Sequence, residues 1–243
     1  MPARNAAVCG VGALMNISFK NRREAGVLLA RLLMRYAGRP DVIVLALPRG
    51  GVPVGFQVAA ALDAPLDVVT VRKIGMPGYP EYAIGAISGD QTLFQSEAIE
   101  AYGISPGAIE PIVLRERKEI ERREALYRAG RPPPQLQGKI AILVDDGLAT
   151  GSTMRVALRS IRKAGPARIV IAVPVAAAET RQQLADEADE MICIGTPVPF
   201  YGVGQWYEDF DQTGDDEVIR LLREAERSHP LSAWTAASAP HRG

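Results

Sequence analysis

The sequence predicts an α/β fold, a mostly parallel open sheet with helices on both faces. Three observations point to it. Short apolar runs rich in valine, isoleucine and leucine alternate with segments of helical periodicity along the chain. Those runs are largely apolar, the pattern of strands covered on both faces. At 243 residues and 47% hydrophobic, the chain can bury a substantial core, and it shows no internal repeat or linker typical of a domain boundary.

Asn21 to Tyr36 reads as an amphipathic helix, with Ala25, Leu28, Leu29, Leu32 and Leu33 on one face. Asp41 to Leu47 is a buried strand ending at Pro48-Arg49-Gly50-Gly51, and Val52 to Leu62 returns as a helix. A second strand, Leu66 to Val71, ends at Arg72-Lys73-Ile74-Gly75. From Gly75 to about Asp90 the chain carries Gly75, Pro77, Gly78, Pro80, Gly85 and Gly89, which is loop chemistry with one short strand at Ala83 to Ile87. Ser105 is a candidate N-cap for a charged helix reaching Arg128, stopped by Gly130-Arg131-Pro132-Pro133-Pro134. Lys139 to Val144 is the third core strand, followed by a helix from Thr153 to Ala164 and a strand from Ala167 to Val173. A helix at Glu179 to Ala185, a last core strand at Glu190 to Ile194 and a helix at Asp215 to Glu226 complete the pattern.

Composition excludes several function classes. The formal net charge is zero, from 28 basic and 28 acidic residues, which argues against nucleic acid or an anionic membrane as the main partner. Cys9 and Cys193 lack metal-ligand spacing and form no disulfide framework, so a cytoplasmic location is expected. Only His229 and His241 exist, both in a polar C-terminal stretch, so histidine-based triads, dyads and zinc sites are not expected. No segment is long enough to span a membrane. The apolar run Ala6 to Met15 is short for a signal-peptide core and lacks a clear cleavage site. The better reading is a disordered extension over residues 1–17, with Met1 or Met15 as the start, a single domain over 18–228, and a disordered tail over 229–243.

The chemistry concentrates in Ile142-Leu143-Val144-Asp145-Asp146-Gly147-Leu148-Ala149-Thr150-Gly151-Ser152-Thr153. A buried strand runs into two acids, then into a small, hydroxyl-rich turn that opens a helix. Such a turn offers backbone N–H groups and hydroxyls to a phosphate, and the helix N-terminus adds the positive end of its dipole. The bland alternative is a strand–turn–helix corner with solvated acids.

This segment resembles the phosphoribosyl-pyrophosphate (PRPP) signature of the type I phosphoribosyltransferases: apolar strand, two acids, and a Thr-Gly-x-Thr loop. Gly147 stands where an apolar residue is more usual, and Ser152 replaces the second glycine of the loop; neither removes a backbone donor. The resemblance extends over about residues 18–228 and implies a flexible loop and a small C-terminal hood on the sheet. It implies that Ala149, Thr150, Gly151, Ser152 and Thr153 hold the 5-phosphate. Asp145 and Asp146 would hold the ribose hydroxyls and stabilise positive charge on the ring. Arg49, Gly50, Gly51, Arg72 and Lys73 would hold pyrophosphate, the family's first loop often doing so through a strained or cis peptide. Asp145, Asp146, Lys73 and Arg49 are thus the candidate catalytic residues. Magnesium is the implied cofactor, bridging pyrophosphate oxygens and ribose hydroxyls, with Asp145 and Asp146 as candidate contacts.

Each flanking feature has a plainer alternative. Pro48-Arg49-Gly50-Gly51 also suits an ordinary strand-to-helix turn, and Arg72-Lys73 also suits a strand end emerging into solvent. In open parallel sheets ligands bind beyond the carboxyl ends of the strands, and three unusual ends on one edge favour function. The 75–90 segment resembles, in position, the family's closing loop, with Glu81 and Tyr82 as its most chemical side chains. Phe200, Trp206 and Tyr207 lie in an aromatic cluster that is either packing or an acceptor-binding hood. The charged helix from Ser105 to Arg128 reads as a solvated face, the alternative being a homodimer contact.

The expected reaction moves 5-phosphoribosyl from PRPP to a small-molecule, nitrogenous acceptor and releases pyrophosphate. Three alternatives stay open: a non-catalytic regulatory protein binding PRPP or a nucleotide, a phosphoribosyl-handling hydrolase, and a P-loop nucleotide hydrolase, which the missing lysine at 147–153 disfavours.

Overall fold

In the computed structural model, residues 8–9, 17–89 and 91–231 are described. Six parallel strands form the main sheet in the order β1 (Val8–Cys9), β9 (Glu190–Gly195), β8 (Arg168–Val175), β7 (Ile140–Val144), β2 (Val42–Ala46) and β3 (Leu66–Val68). Successive residues of each strand feed opposite cores. Val42, Val44, Ile140, Ile142 and Val170 pack beneath α1 (Arg22–Leu33), α2 (Gly51–Leu62) and α7 (Asp215–Ser228). Their neighbours Ile43, Leu45, Leu143 and Ile171 pack against α5 (Ser152–Lys163) and α6 (Ala178–Glu187). That alternation is why the strands read as continuous apolar runs.

Helix α1 starts where expected: Asn21 Oδ1 accepts from the Glu24 N–H at 3.0 Å, and Glu24 Oε2 accepts from the Lys20 N–H at 2.6 Å. From β2 the chain moves outward to β3, whereas from β7 it moves the other way to β8 and β9. The strand order therefore reverses between β2 and β7, and α2 and α5 leave on opposite faces. Such a crevice is where open α/β sheets bind ligands.

The chain departs from expectation between Val68 and Ala101. Arg72-Lys73 does not end a core strand; it begins β4 (Arg72–Met76), which pairs antiparallel with β5 (Tyr79–Ser88), itself paired with β6 (Gln91–Phe94). The glycines that suggested a loop serve the hairpin: Gly78 turns with φ +82°, and a Cβ on Gly75 would meet the backbone of Pro80. A short helix α3 (Ser96–Ala101), unseen in the sequence, leads to α4 (Pro106–Arg128). Helix α4 is not solvated all round: Ile109 and Ile120 join Ile74, Ile84 and Ile87 in a third core, and Glu116 and Arg128 are buried. Alternating charge conceals this packing because buried carboxylates and guanidiniums satisfy each other, as Arg128 does with Asp67 at 2.9 Å.

Of the expected terminal extensions, Val8–Cys9 forms the short β1, while the rest of 1–16 and residues 232–243 lie outside the described residues. His229 Nε2 lies 2.5 Å from Asp63 Oδ1, and Leu231 is buried. No helix among the described residues is long and apolar enough to cross a membrane.

Candidate functional site

The loops after β2 and β7 leave the sheet side by side, with the Leu47 N–H donating to Val144 C=O at 2.9 Å. Gly50 and Gly51 then lie directly on the two acids. A Cβ on Gly50 would overlap Asp146 Oδ2 and sit 2.8 Å from its Cγ, and a Cβ on Gly51 would come within 3.0 Å of Asp145 Cα. The Pro48–Arg49 peptide is cis. This double glycine turn allows the pyrophosphate-loop candidates and the acidic pair to share one surface.

Asp146 is held from several directions. Arg22 Nε, from the first turn of α1, donates to Asp146 Oδ2 at 2.8 Å, and Arg22 Nη1 donates to Asp211 C=O at 2.7 Å. The Arg22 guanidinium also lies over the Phe210 ring, 3.9 Å from its centroid. Tyr207 donates its hydroxyl to the Asp146 carbonyl at 2.6 Å, and the Asp146 N–H donates to Asp145 Oδ1 at 2.9 Å. Burial, then the neighbouring Asp146 charge, pushes the Asp145 carboxyl well above the usual carboxylate range. Burial also raises Asp146, against the Arg22 hydrogen bond and charge that favour its ionised form. The pair thus carries an electrostatic cost that a bound cation or hydroxyl donors would relieve.

The loop from Ala149 to Thr153 is anchored beneath and open above. Leu148 N–H donates to Val175 C=O at 2.9 Å, and Thr180 Oγ1 of α6 donates to Ala149 C=O at 2.5 Å. Gly151 has φ +69°, and a Cβ there would lie 2.6 Å from Thr180 Cγ2, so backbone and packing both require glycine. Ala149 and Thr150 are exposed, Ser152 and Thr153 half-buried, and Thr150 Oγ1 and Ser152 Oγ lie 3.3 Å apart. Gly147 has its own reason: a Cβ would lie 2.5 Å from Val203 Cγ1. Val203 thus fills the space beside Gly147 that a side chain there would need.

The cations occupy one large cavity of about 880 Å³ beside this loop, lined by Arg49, Arg72, Lys73 and Thr153, with Arg115 and Arg123 of α4 opposite. A smaller cavity of about 380 Å³ shares Lys73 and Thr153 and adds Thr150, Ser152, Arg155 and Arg159. Exposed Lys73 lines both cavities, and its side chain has no hydrogen bond or ion pair among the described residues. Arg49 faces Asp215 across 3.9 Å, and Arg72 Nε donates to buried Glu116 at 2.8 Å.

The aromatic candidates separate. Tyr207 is buried, its ring 5.3 Å from Phe19 and 5.0 Å from Phe210, so it braces Asp146 and offers no free face to an acceptor. Phe200 and Trp206 are half-buried, their centroids 6.1 Å apart, and remain at the hood surface. Tyr82 is exposed and stands edge-on to Tyr102 at 5.7 Å; Glu81 lies on β5, its side chain outside what is described. Arg22, Thr180, Glu116, Arg115 and Arg123 were not singled out from the sequence as site residues. Their spacing carries no motif, and only the fold brings them to the acids, loop and cavity. Among the described residues no group of three or more His, Cys, Asp or Glu could hold a metal.

The model of the phosphoribosyl transferase domain matches residues 20–207. A Mycobacterium tuberculosis protein provisionally named a phosphoribosyl transferase is 42% identical over 210 residues, covering 86% of this chain and 47% of that protein. The chain therefore spans about half the length of the curated relatives it matches first. The crystal structure of TT1426 from Thermus thermophilus is 40% identical with a TM-score of 0.72, covering 85% of this chain and 98% of the other. A bifunctional protein PyrR from Roseiflexus is 29% identical over 153 residues, covering 63% of this chain and 65% of that protein.

Proposed function

The chain belongs to the phosphoribosyl transferase family, and from that premise we propose that it moves 5-phosphoribosyl from PRPP to a nitrogenous acceptor. In that reaction the bond from C1 of the ribose to a pyrophosphate oxygen breaks, and pyrophosphate keeps the electron pair. The acceptor nitrogen forms the new bond at C1 and loses its proton to solvent. No enzyme nucleophile is required.

The observation that carries this reading is the contact of Gly50 and Gly51 with Asp145 and Asp146 at the point where strand order reverses. It puts a cation-lined cavity, an acidic pair and a phosphate-shaped loop side by side, the three surfaces PRPP needs. In this reading the backbone and hydroxyls of 149–153 hold the 5-phosphate at the N-terminus of α5. Asp145 and Asp146 accept from the ribose hydroxyls and face the positive charge that grows on the ring as pyrophosphate departs. Arg49, Arg72 and Lys73, with the Gly50-Gly51 backbone, hold the pyrophosphate. Phe200 and Trp206 are the surfaces left for the acceptor.

The acidic pair fits magnesium, because burial raises both carboxyls and the Asp146 charge raises Asp145 further, a cost that a dication beside them would relieve. When bound with PRPP, magnesium would neutralise phosphate charge, and Asp145 and Asp146 are the residues that would hold it.

Calorimetry of PRPP with magnesium tests the reading, on the wild type and on the Asp145→Asn/Asp146→Asn variant, followed by an acceptor screen for released pyrophosphate. Binding by the wild type, its loss in the variant, and pyrophosphate release with one acceptor are expected. Undiminished binding in the variant refutes the role of the acids. Tight binding with no turnover across the screen replaces the transferase with a PRPP-responsive regulator.

A further inference from the structure

The large cavity has two walls, and only one belongs to the loops discussed so far. The other is α4, clamped against the antiparallel sheet by Ile109 and Ile120, so the residues it turns to the cavity are fixed by packing. Of the charged residues lining the cavity, five are cations and one is a carboxylate, Glu116. Such an excess suits an anion carrying several charges rather than a single phosphate.

The way the arginines are held is specific. Glu116 is buried and accepts from Arg72 Nε at 2.8 Å, while its other oxygen accepts from Arg115 Nη2 at 3.1 Å. Glu119 accepts from Arg123 Nε at 2.7 Å. In both Arg72 and Arg123 the carboxylate takes the Nε side, and the two Nη groups have no partner among the described residues. Those Nη groups form the planar fork that matches two phosphate oxygens at once. Asp215 takes a hydrogen bond from Tyr127 of α4 at 2.6 Å and lies 3.9 Å from Arg49, so a third cavity arginine also has a counter-charge fixed through this helix.

Resting on the transferase reading, we infer that α4 is the second wall of the pyrophosphate site, with Arg123 as a further pyrophosphate-binding residue and Glu116 as the positioning residue that holds the Arg72 fork toward the ligand. Removing one fork costs a charge-assisted contact, an effect of about tenfold or more in affinity.

The test is calorimetry with two probes, inorganic pyrophosphate with magnesium and ribose 5-phosphate, on the wild type, Arg123→Met, Glu116→Gln, Arg72→Met and the Arg72→Met/Glu116→Gln double variant. Arg123→Met and Glu116→Gln each weaken pyrophosphate by about tenfold and leave ribose 5-phosphate unchanged. The double variant binds pyrophosphate no more weakly than Arg72→Met, since Glu116 acts through Arg72. In turnover, KM for PRPP rises more than kcat falls. Unchanged pyrophosphate affinity in Arg123→Met overturns the inference, and so does an equal loss of both probes in a folded Glu116→Gln. Should Glu116→Gln fail to fold, Arg123→Met decides alone, because its ion pair with Glu119 is partly exposed and contributes little stability. A wild type that binds neither probe removes the transferase reading itself; variants that keep both probes, in a protein that binds them, remove only the role of α4.

Discussion

Replacing Gly50 by alanine separates two reasons for a glycine at that place. Its backbone, at φ −60° and ψ −32°, is one that alanine adopts readily. If conformation were all that mattered, alanine would stabilise the fold by about 0.4–1 kcal/mol through the unfolded chain. The structure gives the opposite sign. The new Cβ overlaps Asp146 Oδ2, sits 2.8 Å from Asp146 Cγ and lies 3.2 Å from Arg22 Nε. Holding the carboxylate in place means overpacking, at about 1–3 kcal/mol. Moving it away breaks the 2.8 Å hydrogen bond from Arg22, a charged contact of about 1.5–3 kcal/mol. Neither route falls below the backbone gain, so the net change runs from about zero to about 2.6 kcal/mol destabilising. At roughly 2–4 °C per kcal/mol for a domain of this size, Tm falls by up to about 10 °C. Scanning calorimetry measures that fall, and titration with PRPP and magnesium measures the accompanying loss of donor binding. In an Asp146→Ala background the same change costs little, because the carboxylate is gone. A raised Tm with intact donor affinity in Gly50→Ala refutes the reasoning.

Two further outcomes follow from the same packing. Asp145→Asn keeps the shape and removes a charge that burial and Asp146 oppose, so at neutral pH the ligand-free variant melts above the wild type while binding of PRPP with magnesium is lost; a lowered Tm in the thermal melt contradicts this. Gly147→Ala places a methyl 2.5 Å from Val203 Cγ1 and costs about 1–3 kcal/mol, and Val203→Ala in the same chain returns most of it, a coupling that a double-mutant cycle of denaturant midpoints reads directly.

The sequence carries the main sheet openly, because Val42–Ala46 and Ile140–Val144 are apolar at every position and only a strand buried on both faces needs that. The phosphate loop is equally open, since its residues are contiguous and its chemistry depends on order along the chain. The β4–β6 sheet is hidden because its strands carry glycine where neighbouring backbone comes close, as at Gly75 against Pro80 and Gly85 against Leu93, and those glycines read as loop. Helix α4 is hidden for another reason: a buried Glu116 and a solvated Glu121 look the same in a charged run, and only the positions of Arg72 and Arg115 tell them apart. Arg22 lies 124 residues from Asp146 and Tyr207 lies 61 residues from it, distances over which no local pattern speaks.

Those long spans bear on when the site comes into being during synthesis. A nascent chain that has emerged through Thr153 already holds the acids, the phosphate loop and the Gly50-Gly51 turn. It still lacks Thr180 under Ala149, Val203 over Gly147 and the Tyr207 hydroxyl on the Asp146 carbonyl. These braces arrive last, and their contacts with earlier segments are among the slow, non-local ones of the fold. Until about residue 211 has left the ribosome, Arg22 also lacks its second anchor, the Asp211 carbonyl. The acidic pair is thus made well before the last of the residues that set it in place.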